Sequence, residues 1–222
     1  MVLVSKLENP IESGNCFDSI TYSHPQFSDE SYSGFANFIT SPAVYQTTRE
    51  FAPEFCYKDT AVLSFTSEIA RLYDPESLDY LMKRDNEVET INWRGHYNRF
   101  FSLDGPDLFD EETDLSFLKG KIVLMGFMGE REIGEKSLED TFFTPMNEIP
   151  GGRSIPDMYG VTVHANILSM ILDKDYIETI PMWLNIVIAV ILVYLNVSLF
   201  LWVGYFYKPY YDIITKSIQL VR

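Results

Sequence analysis

Metal and nucleophile signatures are missing from this sequence. There is no C-x-x-C pair, no H-E-x-x-H and no other zinc spacing, so no zinc site is indicated. There is no G-x-S-x-G elbow and no phosphate-cradling glycine loop, since Gly126-Phe127-Met128-Gly129 is too short to be one. The only histidines are His24, His96 and His164, and none lies in a nucleophile motif. A hydrolase needs a nucleophile beside a base; the chain is therefore read as not an enzyme, with no cofactor. Basic residues are also few: 17 Lys and Arg against 32 Asp and Glu give a net charge of −15. Beyond residue 180 stand Lys208, Lys216 and Arg222 against Asp212, a net +2, so the first 180 residues carry −17. Such a domain repels phosphate backbones, which speaks against nucleic acid as a partner. The acidity is read first as a solubility device; a cationic ligand is permitted by it but not indicated.

Cysteine is scarce too. Cys16 and Cys56 are too few for a disulfide framework. They are read as two buried thiols, with pairing open to them in an oxidising compartment. No signal peptide opens the chain, because residues 1–4 are too short an apolar run and Lys6 and Glu8 follow at once.

What the sequence does have is one long apolar run. Residues 179–207 contain no charged side chain, and a bilayer core needs only ~20 apolar residues. Trp183 stands at one end and Trp202, Tyr205, Phe206 and Tyr207 at the other, the pattern of an interfacial aromatic belt. The upstream flank holds Asp173, Asp175 and Glu178 beside Lys174, whereas Lys208, Lys216 and Arg222 dominate downstream. Positive flanks stay in the cytoplasm, so the acidic domain is expected outside it. Asn185, Asn196 and Ser198 are polar positions inside the run. Asn196, near the middle, either hydrogen-bonds a partner helix or is tolerated singly in lipid.

About 180 residues precede the run, enough for one domain with a real core. Residues 1–8 read as a short strand, and residues 9–30, rich in Ser, Asn, Asp and Pro, as loop. Residues 34–39 and 44–51 read as a hairpin around Thr40-Ser41-Pro42. Asp59 is expected to cap a helix with the stripe Val62, Phe65, Ile69 and Leu72, stopped by Pro75. A short helix over 76–83 and a strand over 89–93 are expected next. Residues 121–125 are continuously apolar, as a strand buried on both faces would be. A long connection over 127–158 contains the charge cluster Glu130-Arg131-Glu132, ends at Pro150-Gly151-Gly152 and precedes a helix over 160–172. Strand-then-helix patterning argues for an α/β domain, a mixed sheet flanked by helices, followed by one transmembrane helix. Connections of that length are often functional.

Four pieces carry a resemblance, one upstream and three in the C-terminal half. They are Ile91-Asn92-Trp93-Arg94-Gly95, Gly120-Lys121-Ile122-Val123-Leu124-Met125-Gly126, Asp140-Thr141-Phe142-Phe143-Thr144-Pro145, and Gly160-Val161-Thr162-Val163-His164-Ala165-Asn166. Their order and spacing, and the apolar run that follows, resemble the CHASE sensory domain of type 2, an extracytoplasmic sensing module of bacterial receptors. Tyr159 stands where that family has a proline. The resemblance implies a sensory domain over 1–178, incomplete at its N-terminus, a transmembrane helix over 179–207 and a cytoplasmic tail over 208–222. It implies a membrane-anchored, ligand-binding module of a bacterial signalling protein. The family commonly has three membrane helices and a cytoplasmic output domain, whereas this sequence shows one apolar run, so a single pass through the inner membrane and no output domain of its own are expected here. The alternative is a membrane-tethered structural or protein-interaction domain with no small ligand.

The motifs nominate six residues for binding an unknown small ligand: Asn92, Arg94, Asp140, Thr144, His164 and Asn166. Each has a structural reading as well. Asn92 and Arg94 flank a glycine and suit an anion, or Arg94 pairs with an acid. Asp140 and Thr144 suit a cap and turn before Pro145. His164 is expected near the start of its helix, facing residues 140–145 and pinning the long connection by ring hydrogen bonds. Membrane lipid is an expected partner, as is self-association through the transmembrane helix or an exposed sheet edge.

Overall fold

The computed structural model describes residues 1–11, 16–40, 47–110, 112–129, 140–148, 155–178 and 180–206. The charge cluster at 130–132, the Pro150-Gly151-Gly152 end of the long connection and the tail at 208–222 lie outside them. The chain divides into Met1–Ile177 and Glu178–Arg222.

The first strand is set by alternation. In β1, Val2–Pro10, Ser5 and Leu7 turn inward and Val4 and Lys6 outward. β2 spans Cys16–Thr21 and pairs antiparallel with β1, Leu7 opposite Ile20. The expected loop over 9–30 thus contains a strand, because Phe17 and Ile20 pack on Leu7, Phe35 and Ala52, contacts that composition alone hid. A four-residue helix, α1 at Pro25–Ser28, leads to β3 at Tyr32–Phe35, which runs parallel to β1. β4, Ile39–Thr40, and β5, Thr48–Phe51, pair antiparallel, and β5 continues to β8, Glu89–Thr90. Of the hairpin expected over 34–51, only the pairing of 39–40 with β5 is present; residues 34 and 35 belong to β3 and pair with β1 instead, and the turn at 41–46 lies outside the described residues.

β6 at Glu54–Tyr57 and β7 at Thr60–Leu63 form a second hairpin, turning at Lys58 and Asp59 with φ of 44° and 66°. Asp59 therefore makes a turn and does not cap the next helix. That helix, α2 at Phe65–Tyr73, is capped by Ser64, whose Oγ accepts from the Ser67 amide at 3.2 Å. Pro75 closes it and opens α3, Pro75–Lys83, a position where its missing N–H costs nothing. The main sheet runs β3-β1-β2-β6-β7 with mixed strand directions. A bridge from Phe35 to Ser64 brings β3 back to the end of β7, so the sheet curls around Leu7, Phe35 and Ala52. Gly34 makes that contact possible, since a Cβ there would lie 2.6 Å from the Phe65 Cα.

α4, Gly105–Phe109, is short and exposed. The segment 121–125 forms no helix or strand and pairs with no strand among the described residues. Ile122 and Leu124 pack on the core, while Val123 is 53% and Met125 84% exposed. The expectation of a strand buried on both faces is overturned: one face is buried, and the other is apolar and open. β9 at Thr141–Phe142 and β10 at Met158–Tyr159 form a small antiparallel ladder. β10 runs directly into α5, Gly160–Asp173. Val163, Ile167, Met170 and Ile171 of α5 are buried with Ile69 and Ala70 of α2, Leu78 and Leu81 of α3, and Phe51 and Ile91. The domain is α/β, a mixed sheet with flanking helices. The second unit contains α6, Met182–Phe206, with a mean hydropathy of 2.7 over its most apolar stretch, long and apolar enough to cross a membrane.

Candidate functional site

Asn166 lies on the buried face of α5 and is completely enclosed. Its Oδ1 accepts from the Arg94 amide at 2.8 Å and the Gly95 amide at 3.2 Å. Its Nδ2 donates to the Gly95 carbonyl at 3.0 Å and the Thr162 carbonyl at 2.9 Å. A carboxamide has two lone pairs and two N–H groups, and here all four are used. Gly95 has φ of 144°, a conformation open to glycine, and a Cβ there would meet the Arg99 side chain at 2.7 Å. The 91–95 stretch therefore lies along α5 by backbone contacts. Asn92 adds its amide to the Met170 sulfur at 3.2 Å and its Nδ2 to the Asp175 carbonyl at 3.3 Å. The Arg94 guanidinium pairs with Asp173.

The 140–147 stretch is fastened to the other side of the long connection. Thr144 donates its hydroxyl to Asp157 Oδ2 at 2.5 Å and its amide to Oδ1 at 2.8 Å. The same hydroxyl accepts from the Met146 amide at 3.2 Å. His96 Nε2 lies 3.2 Å from the Met146 carbonyl, linking this turn back to the 91–96 loop. Asp157 is the residue that sequence reasoning missed. It stands 13 positions from Thr144 across a long connection, where no spacing rule applies.

Asp140 sits at the start of α5. Its carbonyl accepts from the Gly160 amide at 3.0 Å, and its carboxylate occupies the space a Gly160 Cβ would need, 2.9 Å away. Burial raises its pKa above the usual aspartate range. Its φ of 54° is a left-handed conformation that Asp tolerates better than most residues.

His164 is placed differently from expectation. It lies two residues before Asn166, about 200° around the helix. Its ring packs between Phe38, centroids 4.5 Å apart, and Phe65 at 5.3 Å, and Phe38 in turn meets Phe142 at 4.7 Å. Its Nδ1 is buried and has no hydrogen-bond partner among the described residues. The expected tie to 140–145 through hydrogen bonds is absent; aromatic contacts make the link instead. The residue keeps some exposed area overall, yet burial of the ring pulls its pKa down to about 4. The unfolded chain takes up the proton near 6.5 and the folded one resists it. The stability His164 contributes is thus present above pH 6.5 and lost as pH falls toward 4, about 3 kcal/mol over the full window. His164→Phe keeps the ring packing and should flatten this part of the melting-temperature profile between pH 7 and 4.5. An unchanged slope in that variant would assign the acid sensitivity elsewhere.

The structure thus gathers Asn92, Arg94 and Asn166 along one side of α5, and Asp140 and Thr144 at its start, with His164 on the opposite side. Thr144 and Asp157 form a hydroxyl–carboxylate pair, and His96 contacts the Met146 backbone carbonyl beside it and not the hydroxyl. Among the described residues no cluster of His, Cys, Asp or Glu is arranged to hold a metal. Away from the motifs, a cleft of about 420 Å³ opens beside the β6–β7 hairpin and the end of α3. Its wall includes Cys16 and Cys56, and these are joined as a disulfide, which overturns the reading of two buried thiols. The two strands that carry them lie side by side in register, a placement the sequence did not reveal.

No curated protein and no solved structure matches the chain. The model for the CHASE2 domain matches residues 6–202, from within β1 through most of α6. Since that match covers most of the 222 residues, the chain belongs to the CHASE2 domain family, a family of extracytoplasmic sensory domains.

Proposed function

We propose that this chain is the membrane-anchored, ligand-binding sensory module of a bacterial signalling protein, with Met1–Ile177 outside the cytoplasm and α6 spanning the inner membrane. The observation that carries the reading is the family match, which runs from the folded domain into the apolar helix without a break. The Cys16–Cys56 disulfide supports it, because such bonds persist in oxidising compartments and not in the cytosol. The asymmetry of Asp173, Asp175 and Glu178 before α6 against Lys208, Lys216 and Arg222 after it supports the orientation. α5 holds the 91–95 loop along one side and the 140–144 segment at its start, and along the chain it is the last helix before α6. A ligand that shifts those loops acts on the element from which the membrane segment continues.

A second reading, a tethered protein-interaction domain with no small ligand, draws support from Asn166 and Thr144, whose polar groups are engaged inside the domain. Topology comes first in testing either. A protease added to spheroplasts of an expressing bacterium should cut an epitope placed before Met1. It should spare one placed after Arg222 until the membrane is broken. Protection of both epitopes, or cleavage of both, would sink the orientation.

A further inference from the structure

α6 carries two asparagines on one face. Successive residues of an α-helix advance by about 100°, so Asn185 and Asn196, eleven positions apart, lie within about 20° of each other. Ala189, Leu192, Leu199 and Val203 complete the same stripe at alternating intervals of four and three residues. That is the period of a coiled-coil seam, 3.5 residues per turn. Tyr194 lies on the far side of the helix, about 180° away by the same geometry.

Neither carboxamide is satisfied within its own helix. Asn196 Nδ2 donates to the Leu192 carbonyl at 3.0 Å and Asn185 Nδ2 to the Ile180 carbonyl at 3.4 Å. Among the described residues no donor reaches either Oδ1. For Asn196, near the middle of the span, no water is at hand to supply one.

We infer that α6 pairs in parallel with the α6 of a second copy of this chain, seam against seam, Asn185 facing Asn185 and Asn196 facing Asn196. The inference rests on α6 spanning the membrane, as proposed above. A second copy is the occupant the pattern fits, because a parallel two-fold pair sets each seam position opposite its own counterpart. A carboxamide is donor and acceptor at once, so two identical asparagines at one depth exchange two hydrogen bonds and need no third group. An unrelated helix would need polar groups at both depths, one and a half heptads apart. Ala189, one turn from Asn185, lets the backbones approach where the first pair forms. A single polar seam position is also the device that fixes register and strand number in coiled coils.

The test uses the full chain in lipid vesicles with its Cys16–Cys56 bridge intact. Leu192→Cys should cross-link under mild oxidation to a species of twice the chain mass, and Tyr194→Cys should not. Energy transfer between labelled copies, diluted progressively with lipid, should show pairing in the unsubstituted chain. The Asn185→Val, Asn196→Val double variant should need roughly tenfold more protein per lipid for the same paired fraction, from the usual strength of interhelical hydrogen bonds in membranes. Equal cross-linking at 192 and 194, or pairing indifferent to both asparagines, would overturn the seam. Cross-linking to a different, heavier protein in cell membranes would overturn the second copy as occupant. Chain that inserts but stays single at every dilution refutes this inference alone. Chain washed from the vesicles by carbonate refutes the spanning helix as well.

Discussion

Replacing Cys16 and Cys56 by alanine should lower the stability of the folded domain by about 4 kcal/mol, the loop-closure entropy of a loop of this size. The bridge spans a sequence separation of 40 and sits at the narrowest joint of the main sheet. β2 and β6 are registered at only two positions, Cys16 with Cys56 and Phe17 with Tyr57. On one side of that joint are β3, β1 and β2, and on the other β6 and β7. Without the bond, Phe17 on Phe55 at 5.3 Å and the curl of the sheet remain to hold the two parts together. Urea denaturation of the full chain in detergent, with and without reductant, measures the effect. Reductant should bring the unsubstituted protein to the midpoint of the variant and leave the variant where it is. A loss of under about 1 kcal/mol would show that side-chain packing alone holds the joint.

Asn166→Ala should cost a similar amount, about 4 kcal/mol, for a different reason. It strips partners from the Arg94 and Gly95 amides and the Gly95 carbonyl in a sealed environment, and each unpaired buried group carries a desolvation penalty of about 1–3 kcal/mol, while the Thr162 carbonyl keeps the bond that α5 itself supplies. Asn166→Asp preserves the shape and should still fail, because a carboxylate would face the Gly95 and Thr162 carbonyls with no proton to offer. Asn92→Ala is the internal contrast. Its side chain makes one exposed bond to the Asp175 carbonyl, so its loss should stay under about 1 kcal/mol. Thermal melts of the three variants rank them. Equal melting temperatures for the alanine variants at 92 and 166 would contradict the role given to Asn166.

Local chemistry explains which parts of this architecture were readable in advance. The helix expected over 160–172 is present as α5, within a residue at its end, but its fully buried side is Val163, Ile167, Met170 and Ile171, while Val161, Ala165 and Leu172 of the stripe that helical spacing suggested stay half-buried. Pro75 separates α2 from α3 as proline chemistry requires. The mixed sheet with flanking helices, and the family itself, were legible from motif order. Elements that depend on distant partners were not. Cys16 and Phe17 look like loop residues until β6 comes alongside, 40 positions later. Val123 and Met125 are as apolar as Ile122 and Leu124, so nothing local says that only one side of the segment is covered. Asp59 and Ser64 are both good caps by type, and the β6–β7 hairpin decides between them by claiming Asp59 for its turn. At the motif cluster, six residues could be nominated from the family motifs in which they stand. That Asn166 faces Arg94 and Gly95 while His164 faces two phenylalanines follows from which side of α5 meets the core.

The place of α5 in the chain also bears on how the protein is made. The main core cannot close until Val163, Ile167, Met170 and Ile171 arrive, because they fill its centre between α2, α3 and the 91–95 loop. Synthesis runs from the N-terminus, and domains ordinarily fold as their residues emerge. Here the strands and the first helices must wait, unsealed, for nearly the whole domain to be polymerised. α5 ends at Asp173 and α6 begins at Met182, so the last piece of the fold and the membrane segment leave the ribosome almost together. Under the membrane topology proposed above, completion of the domain and capture by the lipid bilayer become a single late event in the life of the nascent chain.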